Sequence, residues 1–393
     1  MQPLAIKSYA CHCALGRTRA QIAQNLQALH APYMYERAGF LPTGKLMLGG
    51  VDGPLPSIAP ELAAHNSRNN QLLLSCLQEI AADITSTIDQ VGKDRFGIVM
   101  GTSTSGLDEA DHKVSAPSFA RWRYPMQELG DPSRFLQLYL QTTGPAYTVS
   151  TACSSSSRAV ISGMRMLQSG LCDAVLCGGA DTLCRMPING FKALELVSDE
   201  LCAPFASERK GITIGEGAGL ILITRDRTQG LSLVGSGESS DAYHVSAPEP
   251  EGKGAEAAMR MALEQAGLSP CDIAYVNLHG TASVMNDKAE ATVMQRVFGT
   301  KTPCSSTKYL TGHTLGASGI VELCLCALTL EENLPLVPQD FSLNHLDPAL
   351  PEFGLITTTG QHLQNEFVMT NAFAFGGNNT SLILRLGGAH ELS

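Results

Sequence analysis

Val149-Ser150-Thr151-Ala152-Cys153-Ser154-Ser155-Ser156-Ser157 is the stretch whose reading decides the rest. A β-like run ends in small residues, a cysteine follows, and four serines lead into a helix with apolar positions at Val160, Met164 and Leu167. This sets Cys153 at a strand-to-helix turn, beside the positive end of a helix dipole, where a thiolate is favoured and the thiol pKa falls. Its small neighbours leave room for a substrate, as in the nucleophile elbow of hydrolases. A buried structural cysteine would fit the same stretch. The assignment therefore depends on what else the chain brings to Cys153.

Working outward, short apolar runs alternate with helical ones. Residues 4–10, 96–100, 174–177 and 219–224 read as strands, and residues 19–29, 70–84 and 154–169 as helices. Such alternation predicts an α/β protein whose sheets are covered by helices. The polar stretch 224–230 breaks the pattern, and strand, helix, strand then begin again over 231–234, 254–266 and 273–278. In the first half a strand runs into Gly101-Thr102-Ser103-Thr104, and in the second into Gly280-Thr281-Ala282-Ser283. The repetition predicts a duplicated chain, with residues 1–226 carrying the nucleophile and residues 227–393 the histidines.

At 393 residues the chain is long enough for two or three domains or one large fused unit. Its 27 basic and 37 acidic residues give a net charge of −10, the wrong sign for wrapping nucleic acid. Hydrophobic residues make up 44% and charged residues only 16%, so a large core is affordable and disorder is excluded. No leader-like segment or membrane span is read, which points to a cytoplasmic protein. The 12 cysteines lack a disulfide framework, and Cys11/Cys13 and Cys324/Cys326 have no second pair at zinc-finger spacing. They read as core thiols, and no metal is expected.

Two of the ten histidines lie in Gly-rich turns after apolar strands: His279 before Gly280-Thr281-Ala282-Ser283, and His313 five residues after Lys308. The ends of strands are where α/β active sites gather. His30, His65, His362 and His390 fall in polar stretches and read as solvated. One histidine in such a turn is commonly structural. Three turns supplying Cys, His and Lys-x4-His are harder to dismiss.

These segments, with Asn371-Ala372-Phe373-Ala374-Phe375-Gly376-Gly377-Asn378-Asn379, stand in the order found in β-ketoacyl-acyl-carrier-protein synthases. The chain resembles the elongating members of that family from about residue 145 onward and more loosely over its first 100 residues. The resemblance also takes in Pro204-Phe205, Glu208 to Gly211, Gly215 to Gly219 and Ser240 to His244. It implies the duplicated thiolase-like αβαβα layered fold. It further implies that Cys153 takes an acyl chain from acyl-carrier protein, that malonyl-carrier protein loses CO2, and that the enolate attacks the Cys153 thioester. His279 and His313 would donate to the malonyl thioester oxygen, Lys308 would organise the site with Glu322 as acidic partner, and the N–H groups of Cys153 and Phe375 would hold the oxyanion. Glu322 also reads as an ordinary helix carboxylate. Phe375 resembles the family's gating phenylalanine, and Thr281 and Ser283 match hydroxyls that hold the phosphopantetheine arm. No cofactor is expected to be bound; substrates arrive on acyl-carrier protein.

There are departures. The gate commonly reads Gly-Phe-Gly, whereas here Ala374 precedes Phe375, Asn378 replaces a threonine, and Ser283 stands where threonine is usual. Residues 107–140, expected to line the acyl pocket and dimer interface, match poorly, and Trp122, Arg123, Tyr124 and Phe135 read as an aromatic cluster there, either pocket or interface core. Carrier protein is acidic, so docking should be basic; Arg209 and Lys210 match the family pattern, with Arg68 a weaker candidate. A thiolase would need a second late cysteine, and initiating synthases use asparagine in place of the second histidine. A non-catalytic chain-length subunit loses the nucleophile. The expected protein is an active synthase, a homodimer or a heterodimer with a chain-length subunit, serving fatty-acid elongation or, preferred here, a specialised type II pathway such as polyketide or aryl-polyene synthesis.

Overall fold

The computed structural model describes residues 2–114, 123–226, 230–341 and 345–387. Among these, the strands are β1 (Leu4–His12), β2 (Met34–Ala38), β3 (Lys45–Gly49), β4 (Phe96–Gly101), β5 (Ala146–Val149), β6 (Ala174–Asp181), β7 (Gly217–Thr224), β8 (Leu231–Ser240), β9 (Tyr275–Asn277), β10 (Cys304–Ser305), β11 (Phe367–Phe373) and β12 (Asn378–Leu386). The α-helices are α1 (Arg19–Gln27), α2 (Arg68–Glu79), α3 (Ala81–Val91), α4 (Leu107–Val114), α5 (Asp131–Leu140), α6 (Ser155–Gln168), α7 (Arg185–Ala193), α8 (Lys253–Ala266), α9 (Val284–Phe298), α10 (Lys308–Thr311) and α11 (Ser318–Glu332).

Ten strands hydrogen-bond in the order β10-β9-β11-β12-β8-β1-β7-β6-β4-β5, and β2 and β3 form a separate ribbon. From either end inward the path is the same: third strand of its half, second, fourth, fifth, first. The pairings match too. β5-β4-β6 and β10-β9-β11 are parallel, whereas β6-β7-β1 and β11-β12-β8 are antiparallel. The two five-stranded arms meet where Leu4 and Ala5 pair with Leu233 and Ser232.

Three apolar clusters explain the layers. One joins α6 and α11 to the inner faces of both arms, through residues such as Val160, Met164, Ile221, Ile320 and Leu384. A second lies under α2, α3 and α5 on the first arm, and a third under α8 and α9 on the second. Helices α6 and α11 are buried nearly all round, as a middle layer requires. This is the thiolase-like αβαβα fold. Two glycines permit close contacts with the start of α6. A Cβ on Gly101 would fall 2.3 Å from the backbone N of Ser156, and one on Gly319 would fall 1.9 Å from Ser157 Oγ.

Several local expectations are corrected. The helix over 70–84 is two helices: Ser67 caps α2 with its hydroxyl on the N–H of Asn70, and Ile80 (φ −114°, ψ 17°) breaks the chain before α3. The apolar stripe continues across that break, which is why periodicity does not show it. His65 is buried, not solvated, with Nδ1 2.5 Å from Asp131 Oδ1. Of the aromatic residues read as pocket or interface core, Phe135 is buried and Tyr124 is exposed in this single chain, and Trp122 lies outside the described residues. All 12 cysteines are unpaired thiols, and only Cys271 is exposed. No helix among the described residues is long and apolar enough to cross a membrane.

Candidate active site

The turn before α6 is held by its own serines. Ser155 Oγ donates to Ala152 O (2.6 Å) and accepts from the N–H of Thr151 (2.9 Å), while Ser154 Oγ donates to Thr151 O (2.9 Å). The serines tie the elbow to itself, and Ser154 makes no side-chain cap to the helix. Ala152 takes the left-handed conformation (φ +51°), an uncommon choice for a residue with a Cβ. The result aims Cys153 off the helix N-terminus into the middle of the molecule.

His313 Nε2 lies 3.0 Å from Cys153 Sγ. The His279 ring stands edge-on to that of His313, centroids 5.3 Å apart. Their positions come from opposite sides. His279 follows β9, and its turn is clamped from α9: Glu290 accepts the N–H groups of His279 and Gly280 (both 2.7 Å), and Asp287 accepts those of Ala282 (3.1 Å) and Phe205 (2.8 Å). His313 follows α10 and is held by backbone bonds, its N–H donating to Thr213 O and its carbonyl accepting from Gly215. Lys308 and Glu322 are fully buried and bonded to each other, and Ser318 Oγ donates to the second Glu322 oxygen.

Burial sets the protonation states. It holds both imidazoles well below the usual histidine range, and the Lys308 ammonium pushes the same way, so both are neutral near pH 7. Burial raises the carboxyl pKa of Glu322, against the pull of Lys308. It pushes the Cys153 thiol up to about 11, although the Phe375 N–H and Lys308 pull it down. This corrects the expectation of a lowered thiol pKa: the helix end is there, but exclusion of water outweighs it. The resting residue is a thiol facing a neutral imidazole.

Cys153, His279 and His313 open onto a cavity of about 270 Å³ whose wall also includes Phe191, Thr281, Ser283 and Phe375. Thr281 and Ser283 hydroxyls lie 3.1 Å apart on it. The Phe375 ring packs edge-on against Phe191 at 5.4 Å, and its backbone N–H faces the Cys153 sulfur. Gly376 and Gly377 (φ +81° and +76°) supply the turn behind it, which a Cβ would strain. None of the described residues of 107–140 lines this cavity.

The basic residues are corrected. Arg209 lines the cavity but is buried, donating to Asp347 Oδ2 and Ala206 O (both 2.7 Å), with Asp287 at 3.7 Å. It braces the turn beneath α9 and is not offered to a partner. Arg68 is spent on Glu216 and Val51 O, beside a different cavity. Of the three, Lys210, its side chain 61% exposed and loosely paired with Glu200 at 3.4 Å, is the cation at the mouth. The sequence reading missed Glu290 and Asp287, which look like ordinary helix carboxylates; their distance from His279 along one helix face is the only signal. The Cys-His-His set is also one that a metal could use, since its ligand atoms all lie within 4.8 Å of one another.

The sheet path and a cysteine at a helix start between two neutral histidines define a condensing enzyme of the thiolase type. The chain belongs to the beta-ketoacyl synthase family: residues 35–229 match the family's N-terminal domain and residues 231–340 its C-terminal domain. It is 30% identical over 350 residues to a 3-oxoacyl-[acyl-carrier-protein] synthase 2 of Staphylococcus aureus, covering 82% of this chain and 85% of the relative. It is 33% identical to nodulation protein E of Rhizobium leguminosarum bv. trifolii, covering 76% and 77%. Among solved structures, the ketosynthase ApeO of Xenorhabdus doucetiae, determined in complex with its chain length factor ApeC, is 54% identical over 98% of both chains, with a TM-score of 0.96. Members of the family are acyltransferases.

Proposed function

We propose that this protein condenses an acyl thioester with malonyl-acyl-carrier protein, giving 3-oxoacyl-acyl-carrier protein and CO2. The observation that carries the reading is the Cys153–His313 contact at 3.0 Å, with His279 across the same cavity. In the first half-reaction Cys153 sulfur attacks the acyl thioester. The thiol proton passes to His313 and on to the departing phosphopantetheine sulfur. In the second, malonyl thioester loses CO2, and charge builds on its carbonyl oxygen. Neutral His279, and His313 once its ring proton has moved to Nε2, stabilise that oxygen as N–H donors without themselves carrying a full charge. The enolate carbon attacks the Cys153 thioester, the N–H groups of Cys153 and Phe375 hold the oxyanion, and collapse returns the sulfur. Each such donor is worth about 2.7–4 kcal/mol of barrier.

In this reading Lys308, balanced by Glu322, keeps both imidazoles neutral, and Thr281 and Ser283 hold the phosphopantetheine arm. Lys210 meets the acidic carrier protein at the mouth. The nucleophile is carried by residues 1–226 and both histidines by residues 227–393, side chains doing the chemistry without a bound cofactor. The likeness to a ketosynthase solved with a chain length factor supports a heterodimer with such a subunit, in a specialised type II pathway of the cytoplasm. A chain that itself served as the non-catalytic subunit would have no use for an intact Cys-His-His set. The test is intact-protein mass spectrometry with a panel of acyl-carrier proteins followed by malonyl-carrier protein. An acyl adduct on wild type, absent in Cys153→Ala and discharged as a 3-oxoacyl product, is the expected result. No adduct in the presence of a co-purified partner subunit would overturn the reading.

A further inference from the structure

The site has a second chemistry that the condensation does not use. Cys153 Sγ and one ring nitrogen each of His279 and His313 lie within 4.8 Å of one another, and no other group of three ligating side chains comes together in this way among the described residues. A tetrahedral zinc ion, with bonds of about 2.3 Å to sulfur and about 2.0–2.1 Å to nitrogen, spaces its donors about 3.3–3.6 Å apart. The Cys153–His313 pair, at 3.0 Å, need only open slightly. No other pair must close by more than about 1.5 Å to reach that spacing. All three side chains line the cavity, from which water can complete the shell. One thiolate, two imidazoles and an open position is the pattern of a three-ligand zinc site.

We propose that Cys153, His279 and His313 form a reversible inhibitory site for a zinc ion, which ties up the nucleophile and shields it from acylation and oxidation. Binding exchanges the Cys153 S–H bond for an S–Zn bond, and the proton leaves to the buffer. No oxidant or reductant is needed. The site is not built to keep the ion. Among the described residues Nδ1 of both histidines has no hydrogen-bond partner, whereas zinc-bound histidines almost always have one, and losing such support typically costs 10–100-fold in affinity. The nearby Lys308 ammonium also opposes a cation, although Glu322 partly offsets it. Zinc therefore binds and leaves rather than remaining as a structural metal.

The test uses the purified full-length protein and needs no acyl substrate, so it stands or falls apart from the condensation reading. Cobalt(II) added to wild type should give a thiolate-to-cobalt charge-transfer band in the near ultraviolet. That band should be absent in Cys153→Ala, and cobalt binding should weaken by at least about tenfold in His279→Ala and His313→Ala. Zinc should slow iodoacetamide alkylation of wild-type Cys153 at least about tenfold, and a chelator should restore it. Circular dichroism of each metal-free variant checks its fold, and alkylation protection needs no variant at all. Unslowed alkylation at saturating zinc, or a cobalt band that persists in Cys153→Ala, would overturn the proposal.

Discussion

Replacing Lys308 with methionine removes one half of an ion pair in which both side chains are fully buried. The stem still packs, but Glu322 keeps a carboxylate with no counter-charge and only the Ser318 hydroxyl to donate to it. Breaking such a pair typically costs 3–5 kcal/mol. For a chain of 393 residues the unfolding entropy is about 0.8 kcal/mol per degree, so Tm should fall by about 4–6 °C. The loss has a pH signature. Burial already raises the Glu322 pKa, and without Lys308 it rises further. A carboxyl whose folded pKa lies above its unfolded value carries a penalty that is absent below the unfolded pKa and grows as pH rises through the folded one. The deficit of Lys308→Met should therefore be small near pH 5 and largest near pH 8. Lys308→Met/Glu322→Leu, which removes the charge as well, should lose less than Lys308→Met alone. Losing the ammonium also raises the pKa of both histidines, so the acid limb of the condensation rate should move to higher pH. Thermal denaturation from pH 5 to 8 on the three proteins decides it. A deficit under about 1 kcal/mol, or one that does not change with pH, would refute the reasoning.

Cys153, its thiol pushed up to about 11, should alkylate with iodoacetamide at a rate that climbs roughly tenfold per pH unit through pH 9; a plateau below pH 8 would show that the helix end and Lys308 outweigh burial. Lys210→Glu should raise the apparent KM for acyl-carrier protein at low salt, losing the effect at high salt and leaving Tm unchanged. Arg209→Gln, by contrast, should lower Tm by about 4–6 °C, since removing one partner of a buried ion pair, here with Asp287 and Asp347, costs about 3–5 kcal/mol. An Arg209→Gln protein that melted like wild type would return Arg209 to the docking surface. Glu290→Leu leaves two buried N–H groups without acceptors, at about 1–3 kcal/mol each, and should lower kcat by letting the His279 turn move. Unchanged Tm and kcat would remove Glu290 from the site's support.

What the sequence determined by itself was local. Cys153, His279, Lys308–His313 and the Phe375 turn each combine a reactive or gating residue with small neighbours at the end of an apolar run, so chemistry and backbone signal coincide within a few residues. The duplication was legible for the same reason, because strand, helix and Gly-Thr turn recur along the chain, whereas the order of the strands in the sheet was not. Tertiary structure decided whatever depends on a distant partner. Arg209 looks like a surface cation until Asp347, 138 residues away, takes it inward. His65 looks solvated until Asp131 meets it. Nothing next to Ile80 says that the helix stops there, since the apolar stripe does not. The thiol pKa shows the division most clearly. A helix N-terminus can be read from neighbouring residues, but the exclusion of water from Cys153 is made by both halves of the molecule, and that exclusion prevails.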